Sequence, residues 1–364
     1  MKEGWEYKRF EDTLEKVKYT KKLQKNEFLS EGRVPIISQE EDYISGFWNN
    51  PDDAYKVEKP IVIFGDHSRV IKYVDFDFVL GADGVKILKP IESLNAKFLY
   101  HYLKWYNVPN MGYSRHYKFL KEINMPVPPL KEQQQIVSEL DLLSGVIEKQ
   151  KAQLEELDKL AQSIFYDMFG KKDWESKKIK DIAIVKIGPF GSALHQHDYI
   201  SGGTPLVNPI HMKNGKIEAD FNFTISDEKK KELSSYLLKI NDIVFGRRGD
   251  IGRCALVTQK ENGFLCGTGS LFVRFTININ PLYSLKILSS SSVKQYLLGN
   301  ARGATMLNLN STVIEGISIP LPPLSLQQEF AAKVEAIEAM KAKIRQSLKE
   351  AETLFNERMD YYFN

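Results

Sequence analysis

Residues 123–141 read INMPVPPLKEQQQIVSELD, and residues 317–335 read ISIPLPPLSLQQEFAAKVE. An ungapped offset of 194 aligns them with seven identities: Ile123 on Ile317, Pro126 on Pro320, Pro128 and Pro129 on Pro322 and Pro323, Leu130 on Leu324, and Gln133 and Gln134 on Gln327 and Gln328. Three of the seven are prolines, so the match reflects a two-fold internal duplication. The local reading is the same in each copy. Alternation in Ile123-Asn124-Met125 and Ile317-Ser318-Ile319 predicts the end of a strand. The prolines can continue neither a ladder nor a helix. Straight-chained residues of high helix propensity follow.

Outward from this motif the helices acquire a heptad seam. Spacings of four and three select Ile136, Leu140, Leu143, Ile147, Gln150, Leu154, Leu157, Ala161, Ile164 and Met168. The same offset selects Phe330, Val334, Ile337, Lys341, Ile344, Leu348, Ala351, Phe355, Arg358 and Tyr362. A repeat of 3.5 over four heptads predicts a coiled coil, with each helix running about 58 Å. A shared register makes the two helices each other's partners, and the 154 residues between them (170–323) favour antiparallel pairing. Gln150, Lys341 and Arg358 interrupt the seam and are expected to fix its register.

A globular segment precedes each helix. Both open alike, with Trp5-Glu6 and Trp174-Glu175, and both carry an apolar strand ending in Phe-Gly, Ile61–Gly65 and Ile243–Gly246. A glycine-bearing turn and strand follow (from Gly81 and from Gly267), then one helix before the last strand, Ala96 to Tyr106 and Pro281 to Leu298. The predicted class is α+β, with two duplicated domains at 1–130 and 171–323 and coiled-coil helices at 131–170 and 324–364. Between these landmarks the halves do not match.

Composition narrows the function. The 364 residues carry a net charge of +3, divided unevenly: 20 basic and 19 acidic residues in 1–130, but 20 and 13 in 170–323. Segregated positive charge suits a polyanion. Apolar runs are too short to span a membrane, and MKEGWEYKRFEDTLEK has no apolar signal core, so a cytoplasmic location is expected. The two cysteines, Cys254 and Cys266, form neither a disulfide framework nor a zinc pattern and read as small buried hydrophobes. No phosphate-binding G-x-x-x-x-G-K-[ST] loop and no Asn-Pro-Pro-aromatic methyltransferase motif occurs. Asp167 with Glu175 and Lys177 imitates a nuclease triad but falls on the predicted coil. His195, His197 and Asp198 lack a further ligand at metal-site spacing.

The paired motifs Pro126-Val127-Pro128-Pro129-Leu130-x-x-Gln133-Gln134 and Pro320-Leu321-Pro322-Pro323-Leu324-x-x-Gln327-Gln328, each leading a long helix, resemble those of type I restriction-modification specificity subunits over the whole chain. Ser325-Leu326-Gln327 departs slightly from the usual pattern, whereas Lys131-Glu132-Gln133 keeps it. The resemblance implies a non-catalytic subunit of two target-recognition domains and two conserved helices, which reads an asymmetric, bipartite double-stranded DNA target. It implies two methyltransferase subunits and restriction/translocase subunits as partners. S-adenosylmethionine, ATP and Mg2+ would belong to those partners. Gln133, Gln134, Gln327 and Gln328 become the candidate partner contacts. Other readings are the specificity subunit of a system cutting on both sides of its site, and a coiled-coil adaptor without a DNA role.

Reading DNA requires Lys and Arg for phosphates, and forked or aromatic side chains at base edges. The candidate loop in the second domain is Gly246 to Arg253, with Arg247, Arg248 and Arg253. Arg302, Lys213 and Asn214 are further candidates. In the first domain the corresponding residues are His67 and Arg69, with Arg115, His116 and Lys118. A rigid coil between unlike readers also predicts a fixed spacer of unread bases, about one helical turn between half-site centres.

Overall fold

The computed structural model describes residues 4–81, 84–112, 114–190, 193–248, 251–301 and 308–364. Its contacts divide the chain into two compact units, Met1–Leu154 with Lys343–Asn364, and Glu155–Ala342. Both long helices contribute to both units.

In the first unit, Glu6–Arg9 pairs antiparallel with Asn124–Val127, drawing the start of the chain to the proline motif. The main sheet orders Leu14–Glu15, Val85–Pro90, Ile61–Gly65 and Ile71–Val74, all antiparallel. The period of two in the central strand sends Val62 and Phe64 to one face and Ile61 and Ile63 to the other, and both faces are covered. Helix α1 (Ala96–Tyr106) covers the first face with Phe98, Leu99, Tyr102 and Leu103. It starts at Asn95, whose side chain accepts from the Lys97 and Phe98 amides, and stops at Asn107, which takes a left-handed φ of 43°. A smaller sheet of Lys22–Leu23, Val79–Gly81, Val34–Ile37 and Gly46–Trp48 supplies Ile37 and Leu80 to the second face. Helix α2 (Leu130–Phe169) follows the prolines.

The second unit repeats the plan. Ser176–Lys178 pairs with Ser318–Pro320. The main sheet orders Ala183–Ile187, Ser270–Phe275, Ile243–Gly246 and Cys254–Leu256. Helix α3 (Pro281–Leu288) begins at the Asn280 cap with proline in its first turn. The single helix expected to reach Leu298 is broken here. In the run Ser289–Ser292, the Ser290 side chain accepts from the Val293 amide and starts a separate helix, Ser291–Asn300. Helix α4 (Leu324–Phe363) ends the chain. Among the described residues no helix is long and apolar enough to cross a membrane.

All twenty heptad positions are buried or half-buried. In the first unit Arg358 Nη2 donates to Glu139 at 2.9 Å and Gln150 Nε2 to Ser347 Oγ at 2.8 Å. In the second, Lys341 Nζ reaches Asp158 at 2.6 Å and Glu338 at 2.8 Å, and the Phe330 ring lies 5.5 Å from both Phe165 and Phe169. Ascending numbers on α2 meet descending numbers on α4, so the helices pack antiparallel. The three polar seam residues each find a specific partner on the opposite helix.

Each helix end is also a core element. Phe363 lies 5.4 Å from Phe98, 5.5 Å from Tyr102 and 5.8 Å from Trp105, whose indole donates to Asp360 at 2.7 Å. Its counterpart Phe169 lies 4.8 Å from Tyr283.

On α1, His101 is buried with Nε2 2.9 Å from Asp141 Oδ1. Burial holds its pKa below the ordinary histidine value, against the pull of Asp141. The folded state therefore binds fewer protons than the unfolded chain, and this stability is lost as pH falls below about 6.5. Denaturant titrations of wild type and His101→Gln should diverge above that pH and converge below it. Equal pH dependence would assign the effect elsewhere.

Cys254, on the main sheet of the second unit, and Cys266, on the separate strand Leu265–Cys266, lie in different cores and are free thiols. Burial pushes the Cys254 thiol up to about 12. Iodoacetamide at pH 8 should label neither cysteine until denaturant is added.

Candidate nucleic-acid interface

In both units the central strand ends in Phe-Gly, and the next residue ties three loops together. In the first unit, Asp66 donates its amide to Gly84 O at 2.7 Å, its carbonyl accepts from His116 N at 2.7 Å, and Gly65 N donates to Val70 O at 2.8 Å. In the second, Arg247 N donates to Gly269 O at 2.9 Å, its carbonyl accepts from Leu309 N at 3.0 Å, and Gly246 N donates to Arg253 O at 2.8 Å. The loop after Phe-Gly, the glycine turn and the loop ahead of the last strand thus meet at one end of each main sheet. Loops gathered on a rigid sheet end form a reading surface whose side chains can vary without loss of the frame.

The side chains at this node are unlike. Asp66 is buried, accepts from Tyr117 N at 2.8 Å and lies 3.8 Å from Lys86 Nζ. Arg247 is only 7% exposed; its Nε donates to Leu309 O at 3.0 Å and its guanidinium lies 4.8 Å from the Phe190 ring centre. Burial, and then the neighbouring Arg248, lower its pKa from the usual arginine value.

The candidates divide accordingly. His116 is fully buried: its Nε2 accepts from Met111 N at 3.3 Å, which leaves Nδ1 to donate to Asp66 O at 3.0 Å. It braces the loop and presents nothing to a ligand. Arg69, at a left-handed φ of 64°, donates Nη1 to Val108 O at 2.9 Å, and Arg253 donates to Pro209 O at 3.1 Å. Both are half-buried and partly spent on the frame. His67 is half-buried, with its amide on Gln39 Oε1 at 3.2 Å. Arg115, Lys118 and Arg248 are exposed, the last on an isolated bridge to Asn308.

Lys213 and Asn214 lie apart from the node. Asn214 and Gly215, with φ of 50° and 75°, form the turn of the hairpin Met212–Lys213/Lys216–Ile217, which an Asn-Gly pair favours. That hairpin leans on α4 through Lys216 and Glu338, 3.1 Å apart. Lys213 itself pairs with Glu218 at 2.5 Å. Arg302 lies outside the described residues.

The glutamine pairs also split. Gln133 is fully buried, accepts from Asn95 N at 2.7 Å and donates to Ser93 O at 2.8 Å and Pro128 O at 2.7 Å. Gln327 repeats this with Asn280 N at 2.9 Å and Pro322 O at 2.8 Å. Each amide is buried and locks the cap of a short helix to the proline turn. Gln134 and Gln328 are exposed. Elsewhere, Asp167 pairs with Lys171 at 3.0 Å, and the His195 and His197 rings stack 5.2 Å apart, while Asp198 accepts from His195 N at 2.7 Å.

Arg247→Ala should therefore cost stability, about 1.5–3 kcal/mol for a charged hydrogen bond. Arg248→Ala should leave the melting curve unmoved and weaken duplex binding by about 1–3 kcal/mol for a lost base contact. Equal melting losses would contradict this division.

The model of the family described as "Type I restriction modification DNA specificity domain" matches residues 2–159 and again 171–352. The putative type I restriction enzyme MjaX specificity subunit of Methanocaldococcus jannaschii is 30% identical over 166 residues, 44% of this chain and 38% of that protein. The type I restriction enzyme EcoBI specificity subunit of Escherichia coli is 22% identical over 193 residues, 51% of this chain and 39% of that protein. These alignments span about two fifths of each relative's own length. The crystal structure of a type I restriction-modification system S subunit from M. genitalium shares the fold, with a TM-score of 0.64 at 16% identity, covering 98% of this chain and 95% of that one.

Proposed function

The chain belongs to the type I restriction-modification DNA specificity family, and we propose that it reads an asymmetric, bipartite duplex target for a complex whose other subunits perform the chemistry. The observation carrying this reading is the node repeated in both units with Asp66 in one and Arg247 in the other. A shared frame with unlike side chains suits two different half-sites, whereas a palindrome calls for equivalent readers. Exposed Arg115, Lys118 and Arg248 would hold phosphates or base edges. Exposed Gln134 and Gln328, at equivalent places on two helices, would contact two copies of a methyltransferase subunit. S-adenosylmethionine, ATP and Mg2+ would be bound by the methyltransferase and restriction subunits.

Single-molecule sequencing of DNA from cells expressing this chain with its methyltransferase subunit tests the proposal. One adenine-methylated motif of two unlike halves and a constant spacer is expected. A continuous palindrome, a variable spacer or no new methylation would overturn it.

A further inference from the structure

We propose that Phe190 is an apolar base reader of the second unit, placed to pack against the 5-methyl group of a thymine; this rests on the DNA-reading function above. Phe190 is 53% exposed and is held on a stiff support. Three features make it stiff. Gly188 donates its amide to Ser270 O at 3.0 Å, and a Cβ there would lie 2.0 Å from Gly267 O, so the approach admits only glycine. Pro189, buried next in line, fixes its own φ. The Phe190 carbonyl then accepts from Ala193 N at 2.7 Å.

The ring is backed as well as pinned. One side packs on the Arg247 guanidinium, which Leu309 O holds in place and which is itself almost wholly buried. The cation satisfies that side, and about half of the residue stays open to solvent. An exposed aromatic surface backed by a cation at the end of a reading sheet is not needed by the core, which lies on the sheet faces. Its ordering cost is met before DNA arrives, so contact with an apolar base group is not offset by lost rotamers. In the major groove the apolar group that distinguishes one base is the thymine methyl.

The test begins with duplexes selected by the full chain, with co-expressed methyltransferase subunits, from random-sequence DNA. Each thymine of the half-site read by the second unit is then replaced singly by deoxyuridine, which deletes the methyl and keeps every hydrogen bond. Wild type should lose about fourfold in affinity at one position, the worth of one buried methyl. Phe190→Ala should bind thymine and deoxyuridine equally there, while Phe190→Leu, which keeps apolar reach, should retain part of the discrimination. A half-site without thymine, deoxyuridine tolerated throughout by wild type, or discrimination surviving in Phe190→Ala would overturn the assignment while the DNA-reading function stands. Selection of no preferred sequence would instead remove that function, and this inference with it.

Discussion

Truncation of Phe363 to alanine is expected to loosen the first unit, although the residue sits in the last turn of α4. Phe363 is nearly buried among Phe98, Tyr102 and Trp105, which lie on α1, and Met359 one turn earlier joins the same core. Removing a buried phenylalanine costs about 3–5 kcal/mol, because transfer energy is lost and a cavity remains. That should lower amide-exchange protection in Ala96–Tyr106 by two or more orders of magnitude. Phe169→Ala is the matching experiment: its ring meets Tyr283, so the loss should appear in Pro281–Leu288. Hydrogen-exchange mass spectrometry of both variants reads the two helices separately. If Phe363→Ala leaves the α1 peptide as protected as in wild type, the helix end is not a structural part of that core.

Such long-range completion was half legible in the sequence. Periodicity survives in single side chains, so the seam and its three polar interruptions could be read from spacing alone. That Phe363 and Phe169 plug cores could not, because a terminal aromatic on a helix carries no mark of what covers it. The arginine loop shows the same limit. Arg247 and Arg248 are neighbours of one type, yet one is buried by Phe190 and Leu309, and the other is exposed. Sequence proximity says nothing of contacts closed from 57 and 62 positions away. His116 follows suit, since its ring is spent on a carbonyl from a distant strand end. Lys213 and Asn214 are legible for a nearer reason: the Asn214-Gly215 pair announces a hairpin turn, and that turn is what the structure shows there. The smaller sheets, with strands as short as two residues, offer too few alternations to register as a period.

The buried glutamines yield the second large effect. Gln133 joins the Asn95 cap of α1, the Ser93 carbonyl and the Pro128 carbonyl, and its amide is used in both senses, accepting once and donating twice. Gln133→Glu keeps the length and the acceptor but removes both donors, and it sets a carboxylate against two carbonyl oxygens. Each buried group left unpaired costs about 1–3 kcal/mol, so a loss of about 3 kcal/mol or more is expected near neutral pH. The introduced carboxyl should titrate higher in the folded state than in the unfolded one. Stability relative to wild type should then recover as pH falls and protonation restores one donor. Gln327→Glu faces one such carbonyl, Pro322 O, and should lose less. Gln134→Ala, on the exposed side of the same turn, should leave denaturation unchanged and reduce retention of the methyltransferase subunit in size-exclusion chromatography. Were Gln133→Glu to unfold like wild type while shedding its partner, the buried amide would be a docking group after all, and the frame would depend on the prolines alone.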